Sequence, residues 1–227
     1  MKIAILGGTF DPIHRGHLQI ARNALDGSSV DQVFFIPCAI PPHKTDSKLV
    51  GARHRMAMVR AAIAEEPGFQ ALDIEIKRGG TSYSIDTLRQ LRKERARDQF
   101  FFLLGSDNLQ SIGTWRDFHK LIQLCEFLVI KRPGSLIPYP LRPDHPLRFS
   151  PLSAPKKEID LLRFHVLKGP TLAIASSDIR RRLREGKKVS HLIPPTVHKY
   201  IQTHRLYCSP APFDKPPRLR SEQVRTR

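Results

Sequence analysis

Cysteine, aromatic residues, acidic residues and long apolar runs are all scarce in this chain, and each scarcity excludes something. The three cysteines among 227 residues, Cys38, Cys125 and Cys208, lie far apart with no CxxC pair. An odd, scattered set builds neither a disulfide framework nor a zinc centre; it reads as free thiols in a reducing, cytoplasmic setting. No apolar stretch approaches the roughly 18 residues of a membrane-spanning helix, so no membrane is expected as a partner. One lysine and the short run 3–6 precede Gly7, too little for a secretory signal. Aromatic residues make up 7% with a single tryptophan, which leaves few platforms for stacked bases. The dinucleotide fingerprint GxGxxG is also missing after the first strand. Gly7-Gly8 is followed by Asp11 and Gly16 at another spacing, so no dinucleotide cofactor is implied.

Acids are outnumbered, 21 against 38 basic residues, for a formal charge of +17. A nucleic-acid binder and an enzyme with a basic pocket for phosphorylated small molecules share that sign. The basic residues are spread along the chain, so charge alone does not choose between them. Hydrophobic residues at 40% and charged ones at 26% describe a globular chain long enough to bury a real core.

The apolar pattern alternates short buried strands with helices. Residues 3–6 form an apolar run that ends in glycine, as a buried parallel strand does. A helix follows from Gly16 through Leu18, Ala21 and Leu25, stopped by Gly27. Residues 33–36 read as a second strand, 51–66 as a helix ended by Pro67, and Leu72, Ile74 and Ile76 alternate like a strand. Ile85, Leu88 and Leu91 mark a helix. Residues 100–107 and 126–134 carry strong strand signals, 164–167 and 172–174 look extended, and helices are expected near 177–185 and 196–204. The fold class expected is α/β, a Rossmann-like doubly wound parallel sheet with helices on both faces. Residues 1–207 form the domain; the Pro-rich stretch 133–160 reads as a surface insertion. Residues 208–227 lack any apolar period and read as a basic, disordered tail.

The junction GGTFDPIHRGH (residues 7–17) carries the first chemistry. A glycine turn leads to His14 and His17 at a helix start, where free backbone N–H groups and the positive helix end favour an anion. Two imidazoles at i and i+3 can aim at the same oxygens, with Gly16 keeping bulk away. This motif resembles the signature of the HxGH nucleotidyltransferases. The further motifs PPHK (41–44), RGGTSYSIDTL (78–88), LLGSDNLQSIGTW (103–115), KRPG (131–134) and IASSDIRRRL (174–183), in this order, are similar to those of the bacterial nicotinate-nucleotide adenylyltransferases.

That resemblance implies Mg²⁺-dependent transfer of AMP from ATP to nicotinate mononucleotide, yielding deamido-NAD and pyrophosphate in NAD biosynthesis. The implied ATP residues are Gly8, Thr9, Phe10, His14, His17, Gly105, Asp107, Ser176, Ser177 and Arg180, with His14, His17 and Arg180 acting on the reacting phosphates. The implied nicotinate-nucleotide residues are Lys44, Thr81, Ser82, Tyr83, Asp107, Trp115 and Arg132. Mg²⁺ is expected on the ATP phosphates, with no protein ligand. Ala175 stands where the family usually has serine.

Plainer readings sit beside these roles. Lys44 and Arg132 also read as solvated surface cations, Asp107 and the two serines as helix caps, and Trp115 as edge packing. Another phosphorylated acceptor, phosphopantetheine or a polyol phosphate, is the alternative chemistry. A basic nucleic-acid-binding protein is the alternative class, with nucleic acid not expected as the main partner. A homo-oligomer is compatible with the sequence.

Overall fold

The structure is a computed structural model that describes residues 1–42, 49–109, 111–131 and 163–208; of residues 107 and 109 only the backbone is described. Lys44, Arg132, the 133–160 stretch and the tail from 209 onward lie outside the described residues. Six strands form one sheet: β1 (Lys2–Gly8), β2 (Gln32–Pro37), β3 (Phe69–Ala71), β4 (Gln99–Gly105), β5 (Glu126–Ile130) and β6 (Phe164–Leu167). Every pairing is parallel, in the order β3-β2-β1-β4-β5-β6. This is the doubly wound Rossmann order, and it reverses between β1 and β4.

The apolar runs exist because both faces of the sheet are covered. Ala4, Leu6, Val33, Phe35, Phe101, Leu103, Leu128 and Ile130 enter one core; their neighbours Ile3, Ile5, Phe34, Ile36, Phe100, Phe102, Phe127 and Val129 enter the other. A strand that alternates between two dry cores loses its polar face and reads as a continuous apolar run. On the first face lie α1 (Arg15–Gly27), α2 (Ala52–Ile63), α7 (Ser176–Arg184) and α8 (Pro195–Thr203). On the second lie α4 (Ser84–Glu94) and α6 (Phe118–Leu124), with the short α3 (Ile74–Arg78) and α5 (Ser106–Leu109) at their borders. Among the described residues no helix is long and apolar enough to cross a membrane.

Two expected strands are corrected. The alternation at Leu72, Ile74 and Ile76 belongs to the end of β3 and to helix α3, not to a strand. Leu72 donates its amide to the Phe35 carbonyl at 3.0 Å, and Asp73 then starts a helical turn that buries Ile74 and Glu75 side by side. Three apolar residues at period two fit one helical turn as well as a strand, and a buried glutamate breaks the alternation. Residues 172–174 form no strand either; the Ile174 amide turns back onto the Leu172 carbonyl at 2.9 Å. The strand ends that matter converge at the carboxyl edge: Gly8, Pro37 and Gly105 all lie beside the reversal of strand order.

Candidate active site

The turn after β1 is shaped by missing side chains. Neither Gly7 nor Gly8 takes a left-handed φ. A Cβ on Gly8 would instead stand 3.2 Å from the Phe10 ring, so the ring folds back over the glycine. Phe10 itself holds φ at 49°, a conformation that larger residues rarely adopt. Its ring is buried between Phe35 and His17, with centroids 6.0 and 5.0 Å away. Phe10 thus props up His17 from below, and only its backbone can face a nucleotide.

His14 is the N-cap of α1 and His17 its third residue, paired as a capping box built from two imidazoles. The His14 amide donates to His17 Nδ1 at 3.3 Å, and the two rings stack with centroids 3.7 Å apart. Accepting at Nδ1 leaves the His17 proton on Nε2, the atom that can donate to a phosphate oxygen. A Cβ on Gly16 would meet the His14 ring at 3.0 Å, which explains the glycine between the histidines. The Arg15 amide is bound to the Leu192 carbonyl at 2.9 Å, so part of the helix end is already satisfied by the protein.

The second phosphate-reading motif is pinned onto this same loop. Ser176 Oγ donates to the Pro12 carbonyl at 3.0 Å, and Arg180 Nη1 donates to the Asp11 carbonyl at 2.6 Å. The Asp11 carboxylate lies 3.6 Å from the same guanidinium and accepts the Tyr207 hydroxyl at 2.6 Å. Burial, reinforced by this bond to Asp11, pushes the Tyr207 phenol well above its ordinary range, so it stays a donor. Arg181 and Arg182 turn outward and pair with Asp178. Of the arginines on α7, it is Arg180 that bonds this loop.

Thr81 and Ser82, two of the expected acceptor residues, lie against the loop after β2. Ile40 and Thr81 form a parallel bridge, the Ser82 amide donates to the Ile40 carbonyl at 2.9 Å, and Ser82 Oγ accepts the Ala39 amide at 2.9 Å. Ser82 therefore has no spare amide for a ligand, because it ties the loop after β2 to the start of α4. Glu75 accepts the Thr87 hydroxyl at 2.6 Å behind this junction, and burial pushes its carboxyl above the usual range. Trp115 packs edge-on against Phe102 of β4 at 5.6 Å while staying partly exposed, and the Arg116 guanidinium lies 4.6 Å over the Tyr83 ring. Gly105 ends β4 and the backbone of Asp107 lies in the turn of α5 just beyond it.

Sequence reasoning missed Asp11 and Tyr207, and it missed Arg55. The Arg55 side chain is 1% exposed inside the first core. Its Nη1 donates to the Thr9 carbonyl at 2.7 Å, its Nη2 to Ala39 at 2.9 Å and its Nε to Val50 at 2.9 Å. One guanidinium therefore clamps the phosphate loop to both flanks of the segment that carries Lys44. An arginine amid the apolar residues of α2 was the one available signal, since such a charge must find acceptors when buried. Arg55→Met strands three carbonyls on two loops at about 1 kcal/mol or more each. Thermal unfolding should show Tm lower by about 6–12 °C, the scale for roughly 3 kcal/mol in a chain of this size. Cys38, beside this clamp, is no nucleophile: burial pushes its thiol up against the opposing pull of Arg55.

The chain matches the cytidylyltransferase-like family model over residues 5–182. It is 42% identical over 213 residues to the "Probable nicotinate-nucleotide adenylyltransferase" of Geotalea daltonii, covering 91% of this chain and 98% of that protein. The protein of the same name from Symbiobacterium thermophilum is 39% identical over 212 residues, covering 91% and 95%. Among solved structures, the nicotinic acid mononucleotide adenylyltransferase of Plasmodium falciparum complexed with NaAD superposes with a TM-score of 0.68 at 21% identity, over 91% of this chain and 97% of that one. Its complex with APC gives 0.67 at 20% identity, over 91% and 96%. At that identity the likeness is one of fold.

Proposed function

The chain belongs to the nicotinate-nucleotide adenylyltransferase family, and from that membership we propose that its site transfers AMP from ATP to nicotinate mononucleotide, giving deamido-NAD and pyrophosphate. The observation that carries the reading is the convergence of two helix starts, those of α1 and α7, on one loop. Their bonds to it run through His14, Ser176 and Arg180. Two positive helix ends beside two imidazoles and a guanidinium suit a triphosphate. A partly exposed tryptophan across the strand reversal suits a pyridinium ring.

The acceptor's 5′-phosphate oxygen attacks the α-phosphorus of ATP in line. The new P–O bond forms as the bond to the β-phosphate breaks, and pyrophosphate departs on the opposite side. The attacking oxygen is already ionised at neutral pH, so no protein nucleophile or base is needed. Catalysis is then positioning and charge stabilisation. His14 and His17 bind α- and β-phosphate oxygens, with His17 Nε2 the donor toward charge developing at the α-phosphorus. Arg180 and the first-turn amides of Ser176 and Ser177 hold the leaving pyrophosphate. Gly8, Thr9, the Phe10 backbone, Gly105 and Asp107 line the nucleoside side. Lys44 and Arg132 take the acceptor phosphate, while Thr81, Tyr83 and Trp115 take the pyridine end, with Ser82 holding that turn in place.

Mg²⁺, when bound with ATP, would be held mainly by phosphate oxygens and water and would neutralise triphosphate charge. Asp11, the carboxylate buried in the phosphate loop, is already engaged by Tyr207 and Arg180 and offers the ion no ligand.

The deciding experiment measures pyrophosphate release with ATP, Mg²⁺ and a panel of phosphorylated acceptors. Nicotinate mononucleotide should give the highest kcat/KM. Faster turnover with phosphopantetheine or a polyol phosphate would overturn the substrate, and DNA retention without any turnover would overturn the enzyme.

A further inference from the structure

Residues 204–207 take a costly route to their end point. Helix α8 closes with the Arg205 amide on the Gln202 carbonyl and the Leu206 amide on the Ile201 carbonyl, both near 3 Å. This reversal normally places glycine where Arg205 stands, at φ 49°. Tyr207 is left-handed as well, at φ 63°. Of the four non-glycine residues with positive φ among the described residues, Phe10 precedes Asp11 in the chain, Tyr207 bonds the Asp11 carboxylate, and Arg205 lies two residues before Tyr207. Strained backbone that collects at one point is held there by the surrounding structure, and such clusters mark ligand clamps.

Asp11 is 1% exposed. The Tyr207 hydroxyl holds its Oδ1 at 2.6 Å, which leaves Oδ2, with no hydrogen bond of its own, facing the Arg180 guanidinium at 3.6 Å. The Arg180 side chain is 24% exposed, buried at one edge and open at the other. Its Nη1 is fixed on the Asp11 carbonyl, and its remaining N–H groups are oriented by that anchor. Rotating the Asp11 carboxyl would move the one negative charge that sets this orientation. The phenol is what stops the rotation.

We propose that Tyr207 is a positioning residue for ATP: its hydroxyl locks the Asp11 carboxylate, which in turn aims Arg180 at the triphosphate. The inference rests on the adenylyltransferase reading for the role of Arg180, and it makes the segment that follows α8 part of the nucleotide site. Its test needs no acceptor. The Kd of the full-length protein for an ATP analogue with a methylene between the α- and β-phosphorus is measured for the wild type, Tyr207→Phe, Arg180→Ala and the double variant.

Tyr207→Phe should weaken the analogue about tenfold, and by less than about twofold once Arg180 is already alanine, because residues acting through one another are not additive. Binding of nicotinate mononucleotide alone should change little. Asp11→Asn keeps an acceptor for the phenol but removes the charge that holds Arg180. It should reproduce the same non-additivity, and it decides the matter if Tyr207→Phe does not fold. Wild-type affinity in both Tyr207→Phe and Asp11→Asn, or an equal loss with and without Arg180, would overturn the proposal, since a purely structural role weakens both backgrounds alike. A wild type that binds the analogue but does not turn over nicotinate mononucleotide would sink the substrate reading and leave this one standing.

Discussion

His17→Ala lowers kcat by at least about 10²-fold, the scale for losing one donor aimed at charge that develops in the transition state. The fold survives the change. His17 lies on the first turn of α1, its ring packs on Phe10, and its Nδ1 accepts the His14 amide. Removing that cap costs about 1 kcal/mol, small against the total stability of a domain. The effect should fall on kcat more than on KM for ATP, because the proposed site keeps His14, Arg180 and the α7 amides for the ground-state triphosphate. Steady-state kinetics on a variant with a native circular dichroism spectrum check it. Near-normal turnover would remove His17 from the chemistry.

The second large effect is between two acceptors that differ in one group. Nicotinate mononucleotide carries a carboxylate where nicotinamide mononucleotide carries an amide, and a carboxylate only accepts hydrogen bonds. On the proposed reading the pyridine end faces the start of α4, whose N-cap is Tyr83. The Asp86 amide is already bonded to the Tyr83 carbonyl at 3.1 Å, which leaves the amides of Ser84 and Ile85 without an intrahelical acceptor. Ser82 is committed to residues 39 and 40, so the proposal assigns the reading to the amides of Ser84 and Ile85. The Arg116 guanidinium over Tyr83 adds a positive charge, and Asp86 nearby is balanced by Arg89 and Arg116. An amide in this place would turn its NH₂ group toward donors and leave them unmatched. Mismatches of this kind reach about 10⁴-fold in the sites best built for them. A kcat/KM ratio of at least about 10²-fold in favour of the nicotinate form is the expected result, a cautious fraction of that limit. Equal values would show that the α4 start does not read the carboxylate.

Both predictions use residues that stood out in the sequence, but the geometry changed what they do. The histidine motif was legible because HxGH, placed after a glycine turn, leaves little else to explain it. Phe10 was legible as part of that motif, yet its task is to support His17, because its ring turns into the core. Ser82 was legible in the TSYSIDTL segment, yet its hydrogen bonds bind protein backbone. A motif names residues that must be near one another, and only the fold decides which of them face the ligand.

By itself, the sequence determined the α/β class, five of the six strands and the order of the motifs, and it supplied the candidates proposed above for reading phosphate. Those follow from local causes: buried parallel strands are continuous apolar runs, and helix starts need glycine, serine or a cap. The tertiary structure alone decided which motifs share a loop. Residues 11 and 180 meet because β1 and β4 flank the reversal of strand order and α7 returns to the carboxyl edge. Asp11 and Tyr207 were invisible for the same reason, and Arg55 showed only as an arginine amid the apolar residues of α2. Each acts through partners tens to almost two hundred residues away (Arg55 on Thr9, Tyr207 on Asp11), and no local pattern carries a contact of that length.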